Sequence, residues 1–191
     1  IASSVYPGPL SRLGTIEYQR FTGLTDSIVR RTMAKSELHT GDAFSAAALD
    51  AERTRLSNLF RNNGFYYYSP SYVNYLADTV NTANRAQLRL QLSDGLPDEA
   101  MRQWYIGNTG ILLRRTAREE MTDSIHRRHL HIFFGGGKKP PIRPRILLKN
   151  MRLRPGQLYS YNDYQETLAK INGTGVFSSV NLQLPPRPPL T

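Results

Sequence analysis

Two stretches of this chain carry one pattern: Leu-x-x-Gly-x-x-aromatic-Ser, a helix-length segment, then a glycine at the mouth of an alternating strand. The first runs through Leu38, Gly41, Phe44 and Ser45 and closes at Gly64-Phe65-Tyr66. The second runs through Leu153, Gly156, Tyr159 and Ser160 and closes at Gly175-Val176-Phe177. A repeat of this size predicts two copies of one small supersecondary unit rather than one enzyme core, and makes a tandem binding module the leading reading. Units of about 85 residues bury only about 60–65% of their unfolded surface, so each is expected to be modestly stable.

In the first copy, Thr15 to Phe21 alternates apolar and polar residues, as a half-buried strand does. Thr25 or Asp26 can cap a short helix carrying Ile28, Val29 and Met33. Ser45 sits at an N-cap position, and the helix it opens places Leu49, Leu56, Leu59 and Phe60 on one face. Asn62-Asn63-Gly64 ends that helix, because glycine tolerates the left-handed conformation. Tyr72 to Asp78 reads as a second strand and Asn81 to Asn84 as a turn. Gln87 to Ser93 is a third strand, with Leu88, Leu90 and Leu92 inward. The order is β-α-α-β-β.

Asp94-Gly95-Leu96-Pro97-Asp98 punctuates the chain. The expected divisions are therefore a tail (1–11), a first domain (12–95), a second domain (98–185) and a proline-rich end (186–191). The second copy begins with a strand around Gln103 to Ile106. An insertion of about residues 108–141 follows, holding apolar runs at Ile111 to Leu113 and Leu130 to Phe134, with the flexible tip Gly135 to Pro141. Pro144 opens a helix with Ile146, Leu147, Leu148 and Met151. Ser160 with Asp163 resembles a capping box, and Tyr164, Leu168 and Ile171 form the buried stripe of the helix that follows. Ser45 to Gly64 spans 19 positions and Ser160 to Gly175 spans 15, so one helical turn is lost without changing the phase of the apolar face. Val180, Leu182 and Leu184 alternate as a strand. Pro185 to Pro189 cannot be a central strand, since proline lacks the ladder donor. The second copy is thus expected to lack its last strand, with the strand near Leu130 to Phe134 compensating in part.

The net charge of +10 gathers between residues 112 and 155, where twelve Arg or Lys face three acids. Arg114, Arg115, Arg127, Arg128, Lys138 and Lys139 are the candidate basic surface for an anionic partner, anionic lipid headgroups included; a solvated basic loop is the plainer reading. His129 and His131 would share one face of a strand, but Arg127 and Arg128 crowd them and no acid follows, so no metal site is assigned. No serine, histidine and acid stand in a nucleophile context, and no carboxylate pair stands in an apolar setting. The sequence therefore points to no catalytic, metal or cofactor site. Tyr66 to Tyr68, Tyr72 and Tyr75 are read as packing residues, with base stacking as the alternative. The longest apolar runs are too short to cross a bilayer, and the first residues lack the pattern of a signal peptide, which suggests a piece of a longer chain. With no cysteine there is no disulfide framework.

The β-α-α-β-β order with these glycines resembles the POTRA (polypeptide-transport-associated) domain, found in tandem in outer-membrane assembly proteins of the BamA and TamA kind. The second copy carries most of the likeness: Pro144 to Leu147, Leu153 to Ser160 and Gly175 to Leu182 are similar to the TamA-type pattern, including its lipid-anchored relatives. The resemblance covers roughly residues 12–185. It implies an α+β fold of two tandem units, each a small mixed sheet covered by two helices. It also implies a non-enzymatic role in the periplasm, attached to the outer membrane through a C-terminal β-barrel. Unfolded outer-membrane or secreted polypeptides would be received by strand addition and passed to that barrel, with other assembly subunits as further partners. The strand after the long helix is the implied sheet edge, so Tyr72, Val73, Asn74, Tyr75, Leu76 and Ala77 are the candidate docking edge. Asn74→Pro is expected to remove an edge donor there.

Two rival readings come from other classes. A KH-like RNA-binding module shares the element order and suits the charge, but needs Gly-x-x-Gly between its helices. Here those loops read Gly41 to Phe44 and Gly156 to Tyr159, and the one such motif, Gly107 to Gly110, follows a strand. A purely architectural docking domain for partner subunits is the other.

Overall fold

The computed structural model describes residues 11–78, 84–175, 179–183 and 186–187, the last two segments by backbone alone. The chain divides into two compact units, residues 1–60 with 68–101 and residues 61–67 with 102–191.

In the first unit β1 (Arg12–Gln19) leads into α1 (Leu24–Arg31), and after a 3-10 turn into α2 (Ala46–Asn62). β2 (Val73–Asp78) and β3 (Arg85–Leu92) follow. The sheet order is β1-β3-β2, with β1 parallel to β3 and β2 antiparallel to it. The last strand takes the middle because its alternation is strictest: Ala86, Leu88, Leu90 and Leu92 are buried, while Arg89 is exposed. Ile28 and Val29 of α1 and Leu56 and Phe60 of α2 are buried as well, Phe60 stacking on Phe21 at 6.0 Å. Two sequence expectations need correction. Met33 lies in the 3-10 turn after α1 and is 45% exposed, because the helix stops at Arg31. Tyr72 belongs to a 3-10 turn before β2 rather than to the strand.

The second unit contains β4 (Tyr105–Ile106), β5 (Thr109–Arg114), β6 (Asp123–Arg127) and β7 (Leu130–Phe134). α3 (Pro144–Asn150), α4 (Tyr161–Asn172), β8 (Ser179–Gln183) and β9 (Pro186–Arg187) complete it. Its main sheet has the order β6-β7-β5-β8, and β4 pairs with β9. The core joins Ile111 and Leu113 of β5, Leu130, Ile132 and Phe134 of β7, and Leu147, Met151, Leu153, Tyr159 and Ile171 beneath the helices. Ser160 caps α4, its hydroxyl accepting from the Asp163 N–H at 3.3 Å, which satisfies one orphan amide of the first turn.

The repeated glycine motif makes the same clasp twice. Gly41 N–H donates to Leu13 O, Leu13 N–H to Asp42 O, and Phe44 N–H to Ser11 O, each at 2.8 Å. In the second unit Gly156 N–H donates to Ile106 O and Ile106 N–H to Gln157 O, both at 2.8 Å, and Tyr159 N–H donates to Trp104 O at 3.0 Å. Both glycines sit at positive φ, 93° and 82°, where a side chain is disfavoured. This correspondence makes β4 and β5 the counterpart of β1, with Ile106 standing for Leu13 and Thr109 for Ile16.

That equivalence corrects the expected fate of the insertion. β7 does not stand in for the missing third strand. It runs parallel to β5 on one side, while β8, the counterpart of β2, lies directly antiparallel to β5 on the other. The slot that β3 fills in the first unit is closed by β8 itself. The proline run also contributes: Pro186 and Arg187 pair with Ile106 and Tyr105 as a two-residue strand, a position that tolerates proline because few ladder donors are needed. Leu184, Pro185 and the residues from Pro188 onward lie outside the described residues, as do Val176, Phe177 and Asn81 to Ala83.

Candidate functional site: open strand edges and a basic groove

Hydrogen-bond phase decides which amides of an edge strand are available. In an antiparallel pair, directly opposed residues alternate between exchanging both bonds and exchanging none. Ser93 N–H donates to Tyr72 O at 2.9 Å, so that pair is bonded. The register then makes Asn74 with Gln91, Leu76 with Arg89 and Asp78 with Gln87 bonded pairs. The N–H groups of Val73, Tyr75 and Ala77 therefore point away from β3, at the sheet edge. Asn74 faces inward, so Asn74→Pro would break the ladder rather than remove an edge donor. The expected docking residues Val73 to Ala77 do lie on an edge strand, but the open donors are the odd-numbered ones.

The other edge of that sheet is β1. Its first half is covered by the clasp, and Arg12 bridges Ala43. A bulge between Leu13 and Ile16 then shifts the phase. Beyond it, Ile16 and Tyr18 turn their N–H groups outward. This open half borders a cavity of about 310 Å³ whose other wall is Asp26, Val29, Arg30 and Met33. In the second unit the matching edge is occupied. Thr109 N–H donates to His129 O at 3.4 Å, and β7 runs alongside Thr109 to Leu113.

Beneath β1 lies a buried charged network that the periodicity did not flag. Glu52 is fully buried; its carboxylate accepts from Arg55 Nε at 2.8 Å and from a second guanidinium nitrogen at 2.7 Å. It also accepts from Glu37 N–H at 2.9 Å and from the Tyr18 hydroxyl at 2.7 Å. Burial works to raise the Glu52 pKa, but these donors, Arg55 foremost, hold it below the usual carboxylate range. Burial pushes the Tyr18 phenol up to about 12, with Ser36 and Glu52 bonded to it. A carboxylate so neutralised is a structural tie between β1, α2 and the turn at Glu37, not a poised base. One signal was present: Glu52, Leu56 and Phe60 are spaced by four and share a helix face.

The tyrosines pack. Tyr68 is buried against Phe60 at 4.7 Å, Tyr66 meets Tyr159 edge-on at 4.8 Å, and the Tyr75 hydroxyl donates to Leu49 O at 2.6 Å. His129 and His131 are not the pair that forms; His126 and His131, opposed across β6 and β7, stack at 3.7 Å. Burial lowers the pKa of His131, and burial together with Arg154 and Arg128 lowers that of His129. Among the described residues no three His, Asp or Glu side chains gather as metal ligands. Among them, too, no helix is long and apolar enough to cross a membrane.

The six expected basic-surface residues come from several elements of the second unit. Arg115 is held by Glu119 at 2.6 Å and reaches Gly135 O at 3.0 Å. Arg114 ends β5, and Lys138 and Lys139 sit on the exposed tip. Arg127 and Arg128 converge with other cations, lining a cavity of about 540 Å³ with Arg143, Arg145 and Lys149. Of the motif residues, Gly41, Gly156, Phe44 and Tyr159 build the clasps, while Ser45 and Ser160 precede the long helices. Gly64 and Gly175 follow those helices at positive φ. A Cβ on Gly64 would collide with Leu158.

With this geometry in hand, the chain is similar to the crystal structure of Haemophilus influenzae BamA POTRA3-5. The TM-score is 0.53 at 16% identity, over 90% of this chain and 53% of that one. This chain therefore spans about half the length of that structure. The N-terminal domain of Omp85 from the cyanobacterium Thermosynechococcus elongatus matches with a TM-score of 0.31 at 14% identity, over 96% of this chain and 68% of that one. POTRA1-3 of the periplasmic domain of Omp85 from Anabaena matches at 0.25 and 12%, over 90% and 87%. At those scores neither carries an argument. No protein-family model and no curated protein matches the sequence. The BamA likeness defines the fold: this is a tandem POTRA-like α+β chain, the second unit departing from the first by a strand-bearing insertion.

Proposed function

We propose that this chain is a non-enzymatic polypeptide-binding module, working on the periplasmic side of an outer membrane beside an assembly β-barrel. Extended, unfolded clients add as a strand to an open edge of the first sheet. The observation that carries this reading is internal to the molecule: β7 is an extended segment added in parallel to β5, at the counterpart of the open half of β1. The second unit thus fills with its own insertion an edge that, among the described residues, no strand covers in the first. A client at β1 would run parallel to it, bonding Ile16 and Tyr18, with side chains entering the cavity against Val29 and Met33. The β2 edge, with Val73, Tyr75 and Ala77, is the second acceptor, supported by its place at the sheet margin. Each main-chain bond contributes only about 0.5–1.5 kcal/mol net, so binding is weak and sequence-tolerant, as a handover requires.

Amide hydrogen exchange with an unfolded outer-membrane-protein peptide tests this. The expected result is new protection at Ile16 and Tyr18, or at Val73, Tyr75 and Ala77, with the intervening amides unchanged. Ala77→Pro removes the β2 donor at an exposed site and would abolish protection on that edge alone. A peptide that binds without phased protection at either edge contradicts the reading.

A further inference from the structure

We propose that the groove between the β6–β7 turn and α3 binds a phosphate-bearing anionic headgroup at a membrane surface. This goes beyond strand addition and does not depend on it. Arg127 and Arg128 come from the end of β6 and its turn; Arg143, Arg145 and Lys149 come from the start and outer face of α3. Among the described residues none of these five cations stands in an ion pair. Two acids of this unit are engaged elsewhere, Glu119 on Arg115 and Glu166 on Arg152.

Arg145 and Lys149 also stand one helical turn apart, a like-charge spacing that is unfavourable without an anion between the side chains. Arg128 holds a φ of 57° in the tight turn between β6 and β7. Glycine or asparagine is the usual choice there. Five unneutralised donors around about 540 Å³ suit a phosphoryl group and its substituents, since guanidinium forks match phosphate oxygens.

Two features favour an amphiphile over nucleic acid. Leu148 and Pro144 form an apolar wall, and Ile146, adjoining Arg145 on the same short helix, is 41% exposed. Among the described residues no aromatic ring lines the groove, so a base would have nothing there to stack on.

The test is co-sedimentation of the 191-residue chain with phosphatidylcholine vesicles, with and without phosphatidylglycerol, and with glycerol phosphate as a soluble competitor. Binding is expected only to the anionic vesicles. Arg143→Glu with Arg145→Glu should weaken it by at least about tenfold, whereas Lys138→Glu with Lys139→Glu, the same charge change on the tip, should weaken it by about threefold or less. Should the first pair melt early, Arg128→Gln with Lys149→Gln replaces it. Full competition by glycerol phosphate at matched concentration would keep the site and assign it to soluble phosphate. Equal losses for groove and tip pairs, or no binding to either vesicles or glycerol phosphate, overturn the proposal. Binding to single-stranded RNA but not to vesicles does the same.

Discussion

The two units share a clasp and differ in what surrounds it. Residues 1–101 carry ten Arg or Lys and ten Asp or Glu, whereas residues 102–191 carry fifteen and five, so the whole +10 belongs to the second half. The first unit ties its strand β1 to its helices with a buried Glu52–Arg55 pair and leaves the outer half of that strand open. In the second unit the corresponding place is held by Thr167, also buried, whose hydroxyl accepts from Arg152 N–H at 3.2 Å as Glu52 accepts from Glu37 N–H, and β7 covers the strand. The aromatic of the repeated motif follows the same divide: Phe44 is 38% exposed, while its counterpart Tyr159 is 3% exposed and packs on Tyr66. One motif thus supports two solutions, an open edge tied to its helix by a buried charged network and a covered edge whose helix is tied by a neutral hydroxyl.

The largest expected effect breaks the charged half of that contrast. Glu52→Leu leaves Arg55 without its partner and should destabilise the first unit by about 3–5 kcal/mol in urea unfolding followed by hydrogen exchange of Leu88 and Leu90. Adding Arg55→Met should recover part of the loss. The same pair predicts a pH dependence. Because the folded Glu52 pKa is depressed, its contribution is complete above the ordinary carboxylate range and is lost as pH falls through the depressed value. Acid unfolding of the first unit should be flattened in Glu52→Leu; an unaltered acid limb would remove Glu52 from the account. Next in size, Tyr159→Ala should cost the second unit about 3 kcal/mol, read by the single tryptophan, Trp104, while Phe44→Ala should cost the first less than about 1. Equal costs would erase the contrast between the two aromatics. Smallest, Gly41→Ala and Gly156→Ala should each cost about 1 kcal/mol, since both glycines have positive φ and open space around the added Cβ. A marked difference between them would mean the clasps are not equivalent.

Much of this architecture was readable before any coordinates. The N-cap at Ser160, the turn glycines and the alternation of Leu88 to Leu92 are local signals, set by neighbours a few residues away. The sheet edge is readable in the sequence only in outline. The resemblance implies that the strand after α2 lies at the margin, but the direction of the Asn74 amide is not readable, because side-chain alternation says nothing about which edge an amide faces. Glu52 was passed over because a lone acid on an apolar helix face reveals its role only through Arg55, Tyr18 and the Glu37 amide together. The basic run from 112 to 155 was visible, but that two of the six residues singled out meet the α3 cations was not.

From the order of residues alone came two small α+β units, their repeated clasp and the uneven charge, since each depends on composition or on contacts close in sequence. Tertiary pairing decided the rest: that β7 adds beside β5, that β8 closes the slot of the absent strand, and that a bulge after Leu13 turns Ile16 and Tyr18 outward. Those outcomes depend on register between strands far apart in the chain, and a shift of one residue reverses which backbone groups face the open edge.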